Sequence, residues 1–421
     1  MKNLFLLFVA FTSLQLCAQK ENEIIRVDEV SRIENILAAD EMMGRKAGTP
    51  HIEKAASFIA EEFRKAGLED INGNNFRQEF VMLQPRQKEI KFEIEDREGD
   101  VKNVLVLTAE KDFKVNEKSG YETAYINAGE NIFQKARDLA SGRKNTIVIV
   151  DTGFAKQFPR LSFLKRQIFA DVPNIVFVLA SSLPEIFTIK AEHEFVSTPY
   201  ANIVGVLPGK SRSNEYVIFS AHYDHVGVGK PIKGDSIYNG ANDDAAGVTA
   251  VIMLANYYKN LGPQERTLVF VAFTAEEIGG FGSRYFSHQY DPAQIIAMMN
   301  IEMIGTESKW GKNSAFITGY EKSNLGNILQ RNLEGSKFKF LPDPYPDQQL
   351  FYRSDNATLA ALGVPAHTIS TAKMEDEPHY HKPSDEVSTL DLENMVEIIK
   401  AIALSSRSIV EGKDTPTRVV D

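Results

Sequence analysis

Cysteine is almost absent. The single one, Cys17, falls in a short N-terminal segment that reads as a removable signal. There Lys2 supplies positive charge, Leu4 to Ala10 form an apolar core, and the small Ala18 precedes Gln19 at a plausible cleavage point. That apolar run is too short to cross a bilayer, which favours a secretory signal over a membrane anchor. Leu16 is larger than the residue that normally precedes a lipidated cysteine, which argues against a lipoprotein. Cleavage after Ala18 leaves no disulfide, no thiol nucleophile and no thiolate metal ligand. The expectation is an exported protein, periplasmic or extracellular, with residues 1–18 as a signal peptide.

Dense basic blocks are also missing, and the net charge is −10, so nucleic-acid binding has no electrostatic footprint. Internal repeats and low-complexity stretches are absent. The 421 residues suit one large domain of about 250–300 residues and a smaller one. Ile52, Ala55, Ala56, Ile59 and Phe63 recur at helical spacing, and Gly67 stands where a helix would stop. Residues 19–84 therefore read as a helical part of the main domain. Between 85 and 197, short β-rich runs such as Ile147 to Val150 and Ile175 to Leu179 alternate with polar connectors, which predicts an inserted small domain. The main domain resumes over 198–412, and 413–421 is a tail.

From Asn202 onward the pattern is strand, loop, helix, repeated. Strands are predicted at Tyr216 to Ala221, Thr267 to Phe273, Ile295 to Ile301, Ala315 to Thr318 and Ala366 to Ser370. Helices are predicted over 245–260, near 323–334 and over 391–411. In the first of these, Val248, Ile252, Ala255 and Tyr258 form one stripe. Continuous apolar strands separated by helices indicate an α/β fold, with a mostly parallel (mixed) central sheet covered by helices on both faces. Phe351, Tyr352 and Leu362 could line a hydrophobic pocket or belong to the core.

Ionisable residues follow the strands, where open α/β sheets gather their ligands. His222-Tyr-Asp-His225 follows the first, Glu276-Glu277 the second and Asn300-Ile-Glu302 the third. Gly240-Ala-Asn-Asp-Asp244 precedes the first long helix, and His379-Tyr-His381 follows the fifth strand. Six of the eight histidines lie between residues 222 and 381. Each residue alone has a structural explanation: a satisfied core histidine at His222, a helix N-cap at Asp243, dipole-complementing carboxylates at Glu276 and Glu277. Together these explanations fail, because they crowd carboxylates at one buried edge with no compensating charge. A divalent cation resolves the conflict, and imidazole with carboxylate suits zinc, cobalt or manganese.

The blocks Ser220-Ala-His-Tyr-Asp-His225, Gly240-Ala-Asn-Asp-Asp-Ala-Ala-Gly247, Ala275-Glu-Glu-Ile-Gly279, Asn300-Ile-Glu-Met303 and Tyr380-His-Lys-Pro-Ser-Asp385 resemble metallopeptidase family 28, the co-catalytic di-zinc exopeptidases. The resemblance implies a zinc-dependent aminopeptidase with two zinc ions per chain and peptide substrates. It makes His222, Asp243, Glu277, Glu302 and His381 the metal ligands, with Asp243 bridging and Asp224 orienting His222. Glu276 would be the general base and Tyr380 the phenol that stabilises the oxyanion. Glu375, Asp376 and Glu377 are candidates for a rim that holds the substrate amine.

Glu302 departs from the pattern, since many relatives carry aspartate there; the extra methylene puts the second zinc in question. Three other readings stand beside the aminopeptidase. A carboxypeptidase of the same fold would use Arg353 for the substrate carboxylate. A glutaminyl cyclase would use one zinc, and a non-catalytic binding relative would keep the fold and lose the metal.

Overall fold

The computed structural model describes residues 22–71 and 73–420. The expected signal segment and Cys17 lie outside them. The described residues divide into two compact units, one lying within Met1–Glu79 and Tyr200–Asp421 and the other being Phe80–Pro199.

The larger unit opens with helices α1 (Val27–Leu37) and α2 (Ile52–Ala66). Gly67 ends α2 at φ 74°, and the Leu68 amide donates back to the Phe63 carbonyl at 3.1 Å. This left-handed stop suits a residue without a side chain. The part of the sheet that positions the site is built from β1 (Phe187–Leu207), β2 (Arg212–His222), β3 (Arg266–Phe273), β4 (Ile295–Ile301), β5 (Ser314–Ile317), β6 (Lys339–Pro342) and β7 (Ala366–Ser370). Their spatial order is β6-β5-β7-β4-β2-β3-β1. The central strands β7, β4, β2 and β3 are parallel, while β1 and β5 run antiparallel to β3 and β7. The sheet is mixed with a parallel centre, in agreement with the fold class read from the sequence.

Why the central strands read as unbroken apolar runs follows from their packing. On β3, Leu268, Phe270 and Ala272 join one buried cluster, and Val269, Val271 and Phe273 join another. With side chains alternating across the pleat, both faces must be apolar. Helices cover both: α3 (Ala246–Leu261), α5 (Leu325–Asn332) and α7 (Leu392–Val410) contribute to the first cluster, and α4 (Phe281–Ser287) and α6 (Asn356–Ala360) to the second. The single stripe expected for α3 is too narrow. Gly247, Ala250, Val251, Met253, Leu254 and Tyr257 are buried as well, because α3 packs on β2 and also against α1, α2 and α7. A helix covered all round carries no polar face.

The smaller unit has its own four-stranded sheet, ordered Val104–Leu107, Ile175–Leu179, Thr146–Val150, Glu122–Ile126. Its apolar positions, among them Val106, Val148, Val176 and Phe177, are buried there. Both ends of this unit fall inside long strands, Arg77–Ile94 and Phe187–Leu207.

Candidate metal centre

The carboxyl ends of β2, β3 and β4 deliver His222, the Glu276-Glu277 turn and Glu302 to one edge of the larger unit. Beyond β2 the chain passes through Tyr223, Asp224 and His225, all buried. Across from it lies the loop Ala241–Ala245, which contains a cis Asp243–Asp244 peptide and carries Asp243 into the centre.

Several buried groups hold this loop. The Arg45 guanidinium donates to the carbonyls of Tyr223 at 2.9 Å, Leu37 at 2.7 Å, Asn239 at 2.5 Å and Gly240 at 2.8 Å. The Asp385 carboxylate accepts the amides of Asn242 at 2.8 Å and Asp243 at 3.1 Å. Asp244 accepts from Gly247 and Met303, both at 3.0 Å, which ties the loop to α3 and to the end of β4. Arg45, Asp244 and Asp385 received no role from the sequence. Asp244 and Asp385 lie within the family-like blocks, whereas Arg45 carries no local signal.

The Asp243 carboxylate stands between imidazoles. Its Oδ1 lies 3.3 Å from His222 Nε2 and its Oδ2 lies 3.2 Å from His381 Nε2. His381 Nε2 is also 3.1 Å from Glu277 Oε2. His225, which the sequence reading left without a role, joins this group: its Nδ1 is 2.8 Å from Glu277 Oε1 and 3.8 Å from Asp243 Oδ2. Donor atoms of His225, Asp243, Glu277 and His381 all lie within 4.8 Å of one another. His222 and Glu302 fall outside that four-residue group. Glu302 follows β4 into the same cavity, where its Oε2 is buried without a partner.

Asp224 acts differently from the expectation. His222 Nδ1 faces the Asp224 carbonyl at 3.0 Å, while the carboxylate stands 3.9 Å away. The carboxylate instead accepts the amides of Glu276 at 3.0 Å and Glu277 at 3.4 Å, fixing the acidic turn. The short reach of aspartate from the strand end favours the backbone of the adjacent loop over the ring two residues earlier.

Charge is strongly redistributed here. Burial lifts Glu276 well above the ordinary carboxyl range and lifts Glu302 to about 7. Burial works the same way on Glu277, but its contacts with His225 and His381 prevail and hold it near 2. Contacts with Asp243 and Glu277 raise His381 to about 10. Such opposed shifts are typical of a site built to act on charge.

A cavity of about 320 Å³ opens on these groups. Asp243, Glu276, Glu277, Glu302, Tyr380 and His381 line it together with the apolar Met303, Phe316, Leu350 and Met374 and with Arg353. Tyr380 is 44% exposed and stacks on His381 at 4.0 Å between ring centroids. Glu375 and Glu377 reach the lining; Asp376 does not. Phe351, Tyr352 and Leu362 do not line it either. Phe351 packs in the core over Gly319 and His367, and Tyr352 and Leu362 face outward.

Comparisons with known proteins cover the stretch that carries this site. Residues 202–405 match the sequence model of Peptidase family M28. A probable leucine aminopeptidase from Arthroderma otae is 28% identical over 222 residues, covering 51% of this chain and 58% of the relative. The chain thus spans a little over half the length of that curated relative. Among solved structures, an aminopeptidase from Aneurinibacillus sp. aligns with a TM-score of 0.54 at 16% identity, covering 95% of this chain and 97% of that one. A zinc aminopeptidase from Bacillus subtilis aligns with a TM-score of 0.54 at 16% identity, covering 94% and 98%. At such identities the structural matches establish the fold, and the likeness to the family rests on the sequence match. Over residues 202–405, the stretch that supplies every donor of the metal centre, this chain is similar to peptidase family M28.

Proposed function

We propose that the protein is an exported aminopeptidase that holds two zinc ions and hydrolyses the N-terminal bond of peptides. The observation that carries this reading is the Asp243 carboxylate, each of whose oxygens faces an imidazole nitrogen at 3.2–3.3 Å. A bridging carboxylate between two cations needs that disposition.

The donor set fits zinc. It combines histidine with carboxylates and no thiolate. His381 Nε2, Glu277 Oε1 and Glu302 Oε2 are buried atoms without a hydrogen-bond partner, an expense a cation would offset. His222, Asp243, Glu277, Glu302 and His381 would hold the ions. Zinc supplies Lewis acidity when bound, polarising a carbonyl and making water more acidic.

The remaining steps belong to the chain's own residues. Glu276 lines the cavity with its basicity raised by burial, which suits a general base that takes a proton from water and returns it to the leaving amine. Tyr380 stays protonated, because burial and the nearby carboxylates push its pKa upward, so its hydroxyl can donate to the developing oxyanion. Asp224 keeps Glu276 in place through its amide. Glu302, Glu375 and Glu377 give the cavity acidic lining suited to a free α-ammonium group. Export rests on the N-terminal segment alone.

Metal analysis of the purified protein, with a panel of aminoacyl chromogenic amides and N-blocked controls, tests the reading. Zinc-dependent turnover of free-amine substrates with none of the blocked ones is expected. Equal turnover of the blocked substrates would refute the aminopeptidase assignment.

A further inference from the structure

We infer that His225 is itself a zinc ligand, giving the ion on the Glu277 side four protein donors: His225, Asp243, Glu277 and His381. This rests on the zinc reading above and extends it to a residue that neither the motifs nor that reading used.

His225 is 1% exposed, and neither of its ring nitrogens has a hydrogen-bond partner among the described residues. A buried imidazole left so is costly unless something else engages it. The fold makes room for the ring. Gly240 lies against it at φ +59°, and a Cβ there would come within 2.5 Å of two ring carbons. The backbone amide of His225 donates to the Arg45 carbonyl at 3.3 Å, and the ring meets His381 edge to face at 5.4 Å between centroids.

The spacing then decides between a ligand and a hydrogen-bond partner. Two imidazoles alternate with two carboxylates, and their N···O separations are 2.8, 3.8, 3.2 and 3.1 Å. Donors about 2.0–2.2 Å from zinc at tetrahedral angles stand roughly 3.3–3.6 Å apart, so these separations scatter about a tetrahedral edge. The shortest, between His225 Nδ1 and Glu277 Oε1, has a hydrogen-bond length but lacks the direction of one, since both atoms remain without a partner. Atoms this close and not aimed at each other are arranged around a common point.

The consequence is an asymmetric pair of sites. Four protein donors surround the ion beside Glu277, whereas only three, His222, Glu302 and the outer oxygen of Asp243, serve the other side. The ion beside Glu277 should bind first and leave last.

Cadmium-113 substitution of the full-length protein, with 15N-labelled histidine, tests this directly. The expected spectrum has the ring nitrogen of His225 coupled to cadmium, alongside those of His222 and His381. In His225→Asn that coupling disappears, chelator competition shows the tighter equivalent weakened about tenfold or more, and the melting of the metal-free protein stays unchanged. His225→Gln replaces it if the asparagine variant does not fold; the wild-type coupling stands independently of either. Bound cadmium coupled to His222 and His381 alone overturns the assignment and makes His225 at most a positioning residue for Glu277. Failure to bind cadmium or zinc at all would defeat the metallopeptidase reading with it.

Discussion

Replacing Arg45 with lysine should weaken the metal centre from a distance. Arg45 is fully buried and binds four backbone carbonyls, from α1, from the end of β2 and from the loop that carries Asp243. A lysine keeps the positive charge that faces Glu34, Asp224, Asp243 and Asp385. Its ammonium has three donors on one atom, however, and cannot spread over carbonyls that the planar fork reaches from separate nitrogens. At least one carbonyl is left unpaired, at about 1–3 kcal/mol each. The Gly240 carbonyl also accepts from Ala245, so the losses that count fall at Leu37, Tyr223 and Asn239. Thermal unfolding of the metal-free variant should show a melting temperature several degrees lower, and zinc competition should show weaker binding, because the Asp243 loop is no longer pinned. Unchanged melting together with unchanged zinc affinity would refute the claim that Arg45 positions the loop.

Other consequences are equally direct. Glu276→Gln should lower kcat by roughly 10²–10⁴-fold with zinc content and fold intact; a variant keeping about a tenth of the rate would rule Glu276 out as the base. Because burial raises Glu276, activity should be lost on acidification above the ordinary carboxyl range, and a profile still flat through that range would contradict this role. Glu34, buried on α1, has its pKa pushed up to about 8 from 4.5. The folded state keeps a proton that the unfolded chain gives up, so stability is full below about pH 4.5 and falls as pH rises towards 8, by at most about 5 kcal/mol. Glu34→Gln should therefore melt progressively higher than wild type between pH 5 and pH 8, and a constant difference would contradict this. Zinc titration of metal-free protein should bind two equivalents, and Glu302→Asp should change the weaker one only modestly; a single-equivalent endpoint with full activity would show that Glu302 holds no ion.

How far the sequence could be read depended on whether a feature is local. Thr267 to Phe273 announces a central strand because both faces of β3 are buried, and the donors at the ends of β2, β3 and β4 lie within a few residues of those strands. Arg45 could not be found this way, since three of its acceptors lie 178, 194 and 195 residues away. His225 lies in one of the family-like blocks, yet only the fold brings it to Glu277, 52 residues later in the chain and 2.8 Å distant. The lining of the cavity failed for a similar reason: Phe351 and Leu350 are neighbours in sequence, and the turn of the chain sends one into the core and the other to the cavity. β6 was missed because it is four residues long and only Phe340 in it is buried.

The most direct test of the central claim is mass spectrometry of an unblocked peptide incubated with the zinc-loaded protein, beside its N-acetylated twin. The account predicts stepwise loss of residues from the free N-terminus, abolished by chelation, restored by zinc and absent from the acetylated peptide. Residues lost from the C-terminus, cyclisation of an N-terminal glutamine without cleavage, or an unchanged peptide with zinc firmly bound would each contradict it.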